Sequence, residues 1–144
     1  MIMSEPQLFK IAVSAFIVKD GRILLLKRKE DEMFLPGVWE VPGGGVDQDE
    51  TIEQAVVRET KEEAGLTVTL EKLFSYFEYT DGFGQKTVNL NFICRMKDAS
   101  QSADTSFGEM ERADWVLPKN FADKCFTSEI MLEACKDALR LTKK

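Results

Sequence analysis

Residues 44–66 read GGVDQDETIEQAVVRETKEEAGL, and the fold turns on how this stretch is understood. Thr51-x-x-Gln54 is a capping-box pattern, which opens a helix near Ile52. Gly65 suits the left-handed position after a helix that ends at Ala64. At about 100° per residue, Ile52, Ala55 and Val56 share one side. Glu59, Glu62 and Glu63 continue that same side, so a stripe that starts apolar ends in three carboxylates. Like charges four apart disfavour a helix by a few tenths of a kcal/mol. The C-terminal end of the helix dipole adds roughly 0.3–1 kcal/mol against anions. Arg58 can offset one charge, and Lys61 points elsewhere. One positive partner does not balance three carboxylates, which implies a bound cation, and oxygen-only ligands suit Mg²⁺ or Mn²⁺. A solvated helix face can also carry such glutamates, and the helix alone does not separate the two readings. The loop before it, PGGGVDQDE (42–50), tips the balance. Glycines leading into a helix N-terminus let backbone approach a phosphate closely.

Outward from this stretch, FKIAVSAFIV (9–18) is apolar and β-branched, so a strand is expected. Asp20-Gly21 is a two-residue hairpin signal, and RILLLKR (22–28) is the return strand. A loop should cover 29–37, a short strand VWEV (38–41), and PGGG (42–45) should end it. Residues 66–80 read as strand and DGFG (81–84) as a turn. In 86–96, Val88, Leu90, Phe92 and Cys94 alternate on one face. Residues 98–109 read as a polar loop and ADWVL (113–117) as a short strand. A last helix over 128–141 would bury Ile130, Met131, Ala134, Cys135, Ala138 and Leu141. The order predicts one α+β or layered α/β/α domain over 1–144.

Composition narrows the chemistry. The chain has no histidine, which removes His-based triads, His general bases and HExxH metal sites. Three separated cysteines, Cys94, Cys125 and Cys135, give neither a zinc pattern nor a disulfide framework. A net charge of −6 argues against a nucleic-acid-binding surface. A bound divalent ion would still let an anionic small molecule bind. No apolar run is long enough to span a membrane and no secretory signal is visible; the separated cysteines make a reduced, cytoplasmic setting the expectation.

The stretch resembles the Nudix box, G-x5-E-x7-R-E-U-x-E-E-x-G-U, where U is a bulky apolar residue. Gly44, Glu50, Arg58, Glu59, Glu62, Glu63, Gly65 and Leu66 are all in register, and Thr60 departs at the first U. VWEVPGG (38–44) and DWVL (114–117) resemble the flanking family segments. The resemblance implies an α/β/α sandwich with a mixed sheet and a loop–helix–loop box. It implies hydrolysis of a nucleoside diphosphate linked to another group, with divalent cations. Glu59, Glu62 and Glu63 would bind metal with the Gly43 carbonyl, while Glu50 and Arg58 would hold loop and helix together. Some family members use a later glutamate as ligand or base, for which Glu109 is the candidate and Glu111 the alternative. The base is open among Glu59, Glu63 and Glu109. Arg28 is the candidate contact for substrate phosphate. Trp39, Phe34, Phe83 and Tyr79 could stack on a base, although such aromatics are more often core.

Within the family the chain looks most like MutT-type nucleoside triphosphate pyrophosphohydrolases, which release a nucleoside monophosphate and pyrophosphate. This is reached by exclusion. The proline of ADP-ribose hydrolases, the SQPWPF-like stretch of NADH hydrolases and the tyrosine of dinucleoside polyphosphate hydrolases are absent. ADP-ribose, nucleotide sugars and dinucleoside polyphosphates stay as alternatives. So does a non-catalytic nucleotide-sensing module, although such modules typically lose box glutamates that this chain keeps. Dimers are frequent in the family, so a homodimer is among the implied assemblies.

Overall fold

The computed structural model describes residues 4–106 and 108–143. The sheet grows from β1 (Lys10–Lys19), which turns at Asp20 and Gly21 into β2 (Arg22–Arg28). Both turn residues have positive φ, 51° and 73°. That pair of values makes the tight hairpin whose twist matches its strands. β3 (Trp39–Glu40) and β4 (Gly43–Gly45) follow, then helix α1 (Ile52–Ala64). β5 (Val68–Thr80), β6 (Lys86–Met96) and β7 (Met110–Val116) precede a 3₁₀ turn (Pro118–Asp123) and helix α2 (Glu129–Leu141). The sheet order is β3-β2-β1-β6-β5, with β4 paired to β1 and β7 to β2. β1 and β6 run parallel; the other pairs are antiparallel.

Side chains alternate across a strand, and here both faces are covered. Val13, Ala15, Ile17, Leu24 and Leu26 pack with Ala55, Val56 and Ala64 of α1. Phe16, Val18, Ile23 and Leu25 pack with Met131, Ala134, Cys135 and Ala138 of α2. The result is a mixed sheet between two helices, as the sequence predicts.

Four local expectations change. The glycines 43–45 do not merely end a strand. They form β4, because Ala12, Val13 and Ser14 of β1 present a free ladder edge to them. α2 is rotated from the expected stripe: Ile130 and Leu141 are exposed, and Leu139 is buried instead. Ile52, at the first turn of α1, is also exposed. The last strand starts earlier than expected, at Met110, because it pairs along most of β2. Phe107, inside the expected 98–109 loop, lies outside the described residues. Among the described residues no helix is long and apolar enough to cross a membrane.

Candidate active site

Helix α1 is fixed at both ends by its own sequence. The Thr51 hydroxyl accepts from the Gln54 N–H, and the Gln54 side chain accepts from the Thr51 N–H. Gly65 closes the helix at φ 70°. Between these caps Arg58 ties helix to loop. Its guanidinium donates to both Glu50 carboxylate oxygens, at 2.6 and 3.0 Å, and to the Gly45 carbonyl at 3.0 Å. The remaining nitrogen donates to Glu59 at 2.8 Å and lies 3.3 Å from Glu62. Glu50 also accepts from the Asp47 N–H. These donors hold the Glu50 carboxyl down to about 2, with Arg58 the largest cause. A forked ion pair of this kind sets orientation as well as attraction. The supporting role that the resemblance gives Glu50 and Arg58 fits these contacts.

The three box glutamates meet different surroundings. Glu62 is 57% exposed. Glu59 is half-buried between Arg58 and Gly44. A Cβ on Gly44 would lie 2.5 Å from the Glu59 carboxyl carbon, so only glycine leaves Glu59 its place. Glu63 is the most enclosed, and its Oε1 accepts from the Gly43 N–H at 2.7 Å. Burial pushes the Glu63 carboxyl up to about 8, and the negative charges of Glu40, Glu59 and Glu109 add to the effect. Glu40 is itself raised, first by burial and then by Glu109, despite the nearby Arg28.

Glu40 therefore joins the carboxylate cluster, a placement that the sequence reading missed. It belongs to a two-residue strand, and the one available signal was a charged residue beside a glycine run. Glu109 is brought to the same place: its carboxylate is 64% exposed and lies 3.3 Å from Arg28. Glu111 turns away to Lys27 at 3.2 Å, which separates the two candidates. Arg28, expected to meet phosphate, is only 13% exposed and stands among Glu40, Glu109 and Glu32. Its Nε donates to the Phe34 carbonyl.

Among the described residues, no three Asp, Glu, Cys or His side chains stand in metal-ligating positions. Arg58 draws Glu59 and Glu62 to one side, and the Gly43 N–H holds Glu63. The donor set nevertheless fits a hard divalent cation. It is all oxygen, and Glu63 is buried among like charges whose repulsion a bound cation would relieve. Beyond β4 lies a cleft of about 420 Å³. Its edge at the glutamate end is Gly43–Gly45, a strand with no side chains to wall the cleft off from α1. Tyr79 lines this cleft. Trp39 is core, and Phe34 and Phe83 are exposed and do not line it.

The NUDIX domain model matches residues 8–133, so the chain belongs to that family. The chain is 37% identical over 116 residues to "Nucleoside triphosphatase NudI" of Escherichia coli, covering 75% of this chain and 82% of that one. It is 44% identical over 71 residues to "ADP-ribose pyrophosphatase" of Methanocaldococcus jannaschii. That match covers 49% of this chain and only 41% of the relative's length. The solved MutT protein from Methanosarcina mazei Go1 superposes with a TM-score of 0.75 at 25% identity, covering 98% of this chain and all of that one. The chain is thus a Nudix hydrolase, of a family that acts on nucleoside diphosphate derivatives with divalent cations.

Proposed function

We propose that the chain hydrolyses a nucleoside triphosphate to the monophosphate and pyrophosphate, with Mg²⁺ as its cation and Mn²⁺ as a substitute. The carrying observation is Glu63, buried among Glu40, Glu59 and Glu109 and opposite the Gly43 backbone. Glu59, Glu62, Glu63 and the Gly43 carbonyl would hold the metal. When bound, it supplies Lewis acidity, neutralising charge on the diphosphate oxygens and making water a better nucleophile. The chain's own residues do the rest. Arg58 and Glu50 hold the loop on the helix, so that the glycine backbone and the carboxylates keep one spacing. A carboxylate takes the proton of the attacking water. Glu109 is the most exposed of the three bases considered, and Glu59 and Glu63 are the other two. Arg28 contacts a substrate phosphate on exchanging its Glu109 contact for it. The similarity to a nucleoside triphosphatase over most of both chains supports the triphosphate reading.

A second reading, hydrolysis of ADP-ribose, is favoured by the similarity over 71 residues to an ADP-ribose pyrophosphatase. Product analysis separates them. Purified chain with Mg²⁺ or Mn²⁺ is offered canonical and oxidised nucleoside triphosphates, ADP-ribose, nucleotide sugars and dinucleoside polyphosphates. Pyrophosphate with a nucleoside monophosphate supports the first reading. AMP with ribose 5-phosphate supports the second. Inorganic phosphate released from triphosphates, with a diphosphate left, would refute the first, and ADP-ribose left intact would refute the second.

A further inference from the structure

The cleft behind β4 is floored on the α2 side of the sheet by Ser14, Thr87 and Asn89, and the polar row continues beyond it to Asn91. Ser14, Asn89 and Asn91 alternate along their strands with residues that pack toward α1, and all three are buried. Asn89 Nδ2 donates to Ser14 Oγ at 3.0 Å and to Asn91 Oδ1 at 2.9 Å. Asn91 Nδ2 donates in turn to Ser75 Oγ at 3.0 Å. Both amide hydrogens of Asn89 are used, so what it can still offer a ligand is its Oδ1 acceptor. Thr87, next along the same face of β6, is 1% exposed. Its hydroxyl is the one buried side-chain polar atom among the described residues without a hydrogen-bond partner. Thr87 and Asn89 both line the cleft, and cross-strand from them stand Tyr79 and Phe77. Those two rings stack 5.9 Å apart at 29°. A buried hydroxyl without a partner is unfavourable to keep, and a polar row under an aromatic wall has no packing advantage over an apolar one.

We propose that this cleft reads the nucleobase. Asn89 Oδ1 accepts from an N–H on the base edge, and the Thr87 hydroxyl takes a second polar group beside it. Tyr79, at the sheet edge, turns to stack on the base and uncovers Thr87. The base then lies on the α2 side, and the phosphates cross the glycine rim to the α1 carboxylates. The inference rests on the substrate being a nucleotide, but not on its being hydrolysed.

The test uses metal-free intact chain, titrated with AMP, GMP, CMP, UMP and, as a base-less control, ribose 5-phosphate. The side-chain amide signals of Asn89 and Asn91 are followed by NMR. At least one monophosphate should bind tenfold more tightly than ribose 5-phosphate and shift the Asn89 amide. Thr87→Val, close to isosteric, should leave the melting temperature equal or higher. It should reduce the preference for the base by about three- to tenfold, the worth of one hydrogen bond, with ribose 5-phosphate unaffected. Equal binding of all five compounds, or an unchanged preference in Thr87→Val, overturns the proposal. So do shifts confined to a separate groove on the surface, lined by Arg95, Lys136 and Arg140. Base-dependent binding with no turnover of any triphosphate would sink the hydrolase reading and leave this one standing.

Discussion

Replacing Glu63 by glutamine should make the metal-free protein more stable while removing its activity. An ordinary glutamate titrates near 4.5, and Glu63 in the fold near 8. The folded chain therefore binds this proton more tightly than the unfolded chain. In such a case stability falls as pH rises from about 4.5 to about 8, and is level below and above that window. Each tenfold in proton affinity is worth about 1.4 kcal/mol, so at pH 7 the ionisable group costs about 3 kcal/mol as an upper value. Glutamine keeps an oxygen to accept from the Gly43 N–H, but its new amide hydrogens need partners. A net gain of about 1–3 kcal/mol follows, or roughly 3–10 °C for a chain of this size. The assay is thermal unfolding of both proteins in chelator across pH 4 to 9. The variant's advantage should grow through that window and vanish at its acid end. Mg²⁺ should then raise the melting temperature of the intact chain by mass action and leave the variant's nearly unchanged. A variant that is less stable at pH 8, or whose difference ignores pH, would refute the buried-charge reasoning.

Other perturbations follow from the same contacts. Arg58→Ala removes the donors that join Glu50, Gly45 and Glu59. Steady-state turnover should fall at least about a hundredfold, with a lowered melting temperature. Gly44→Ala pushes a methyl group into the Glu59 carboxyl. It should cut kcat more than tenfold with little loss of stability in urea unfolding, because the atoms met are the tip of one flexible side chain. Gly65→Ala puts a Cβ at φ 70° and 2.9 Å from Asp104. It should lose about 1–2 kcal/mol with kcat little changed, because the loss falls on the helix end.

What the sequence disclosed, and what it hid, follows from how local each determinant is. The bounds of α1 were readable because Thr51, Gln54 and Gly65 act within a turn of themselves. β2 and β6 were readable because a hairpin signal and an alternating pattern delimit them. β4 was not, since three glycines have little strand preference and pair only because β1 offers an edge. Nor was the rotation of α2, because Ile130 and Leu139 fit a helical stripe equally well until the sheet selects one. In β6 the apolar face was visible, yet Thr87, Asn89 and Asn91 on the other face are buried too. Polar residues announce a buried row only when their partners on β1 and β5, Ser14 and Ser75, are known.

The two costs in the structure lie on either side of the glycine rim. On the α1 side Glu63 is held among like charges; on the α2 side Thr87 carries an unpaired hydroxyl. Neither helps the chain to fold, and each would be relieved by one end of an elongated ligand, a metal-bound diphosphate at one and a polar base at the other. Folding alone would favour a neutral acceptor at the first position and an apolar residue at the second. Local rules broken on both sides of a strand without side chains mark a continuous binding path rather than two separate defects. Pairing Glu63→Gln with Thr87→Val tests that continuity. In the free protein the two stability gains should add, because the groups share no contact. In nucleotide binding with Mg²⁺ present each variant should weaken a nucleoside triphosphate, while Thr87→Val should spare inorganic triphosphate, which has no base. A triphosphate whose affinity only one of the two variants lowers would mean that it does not reach both positions, and the path would have to be redrawn.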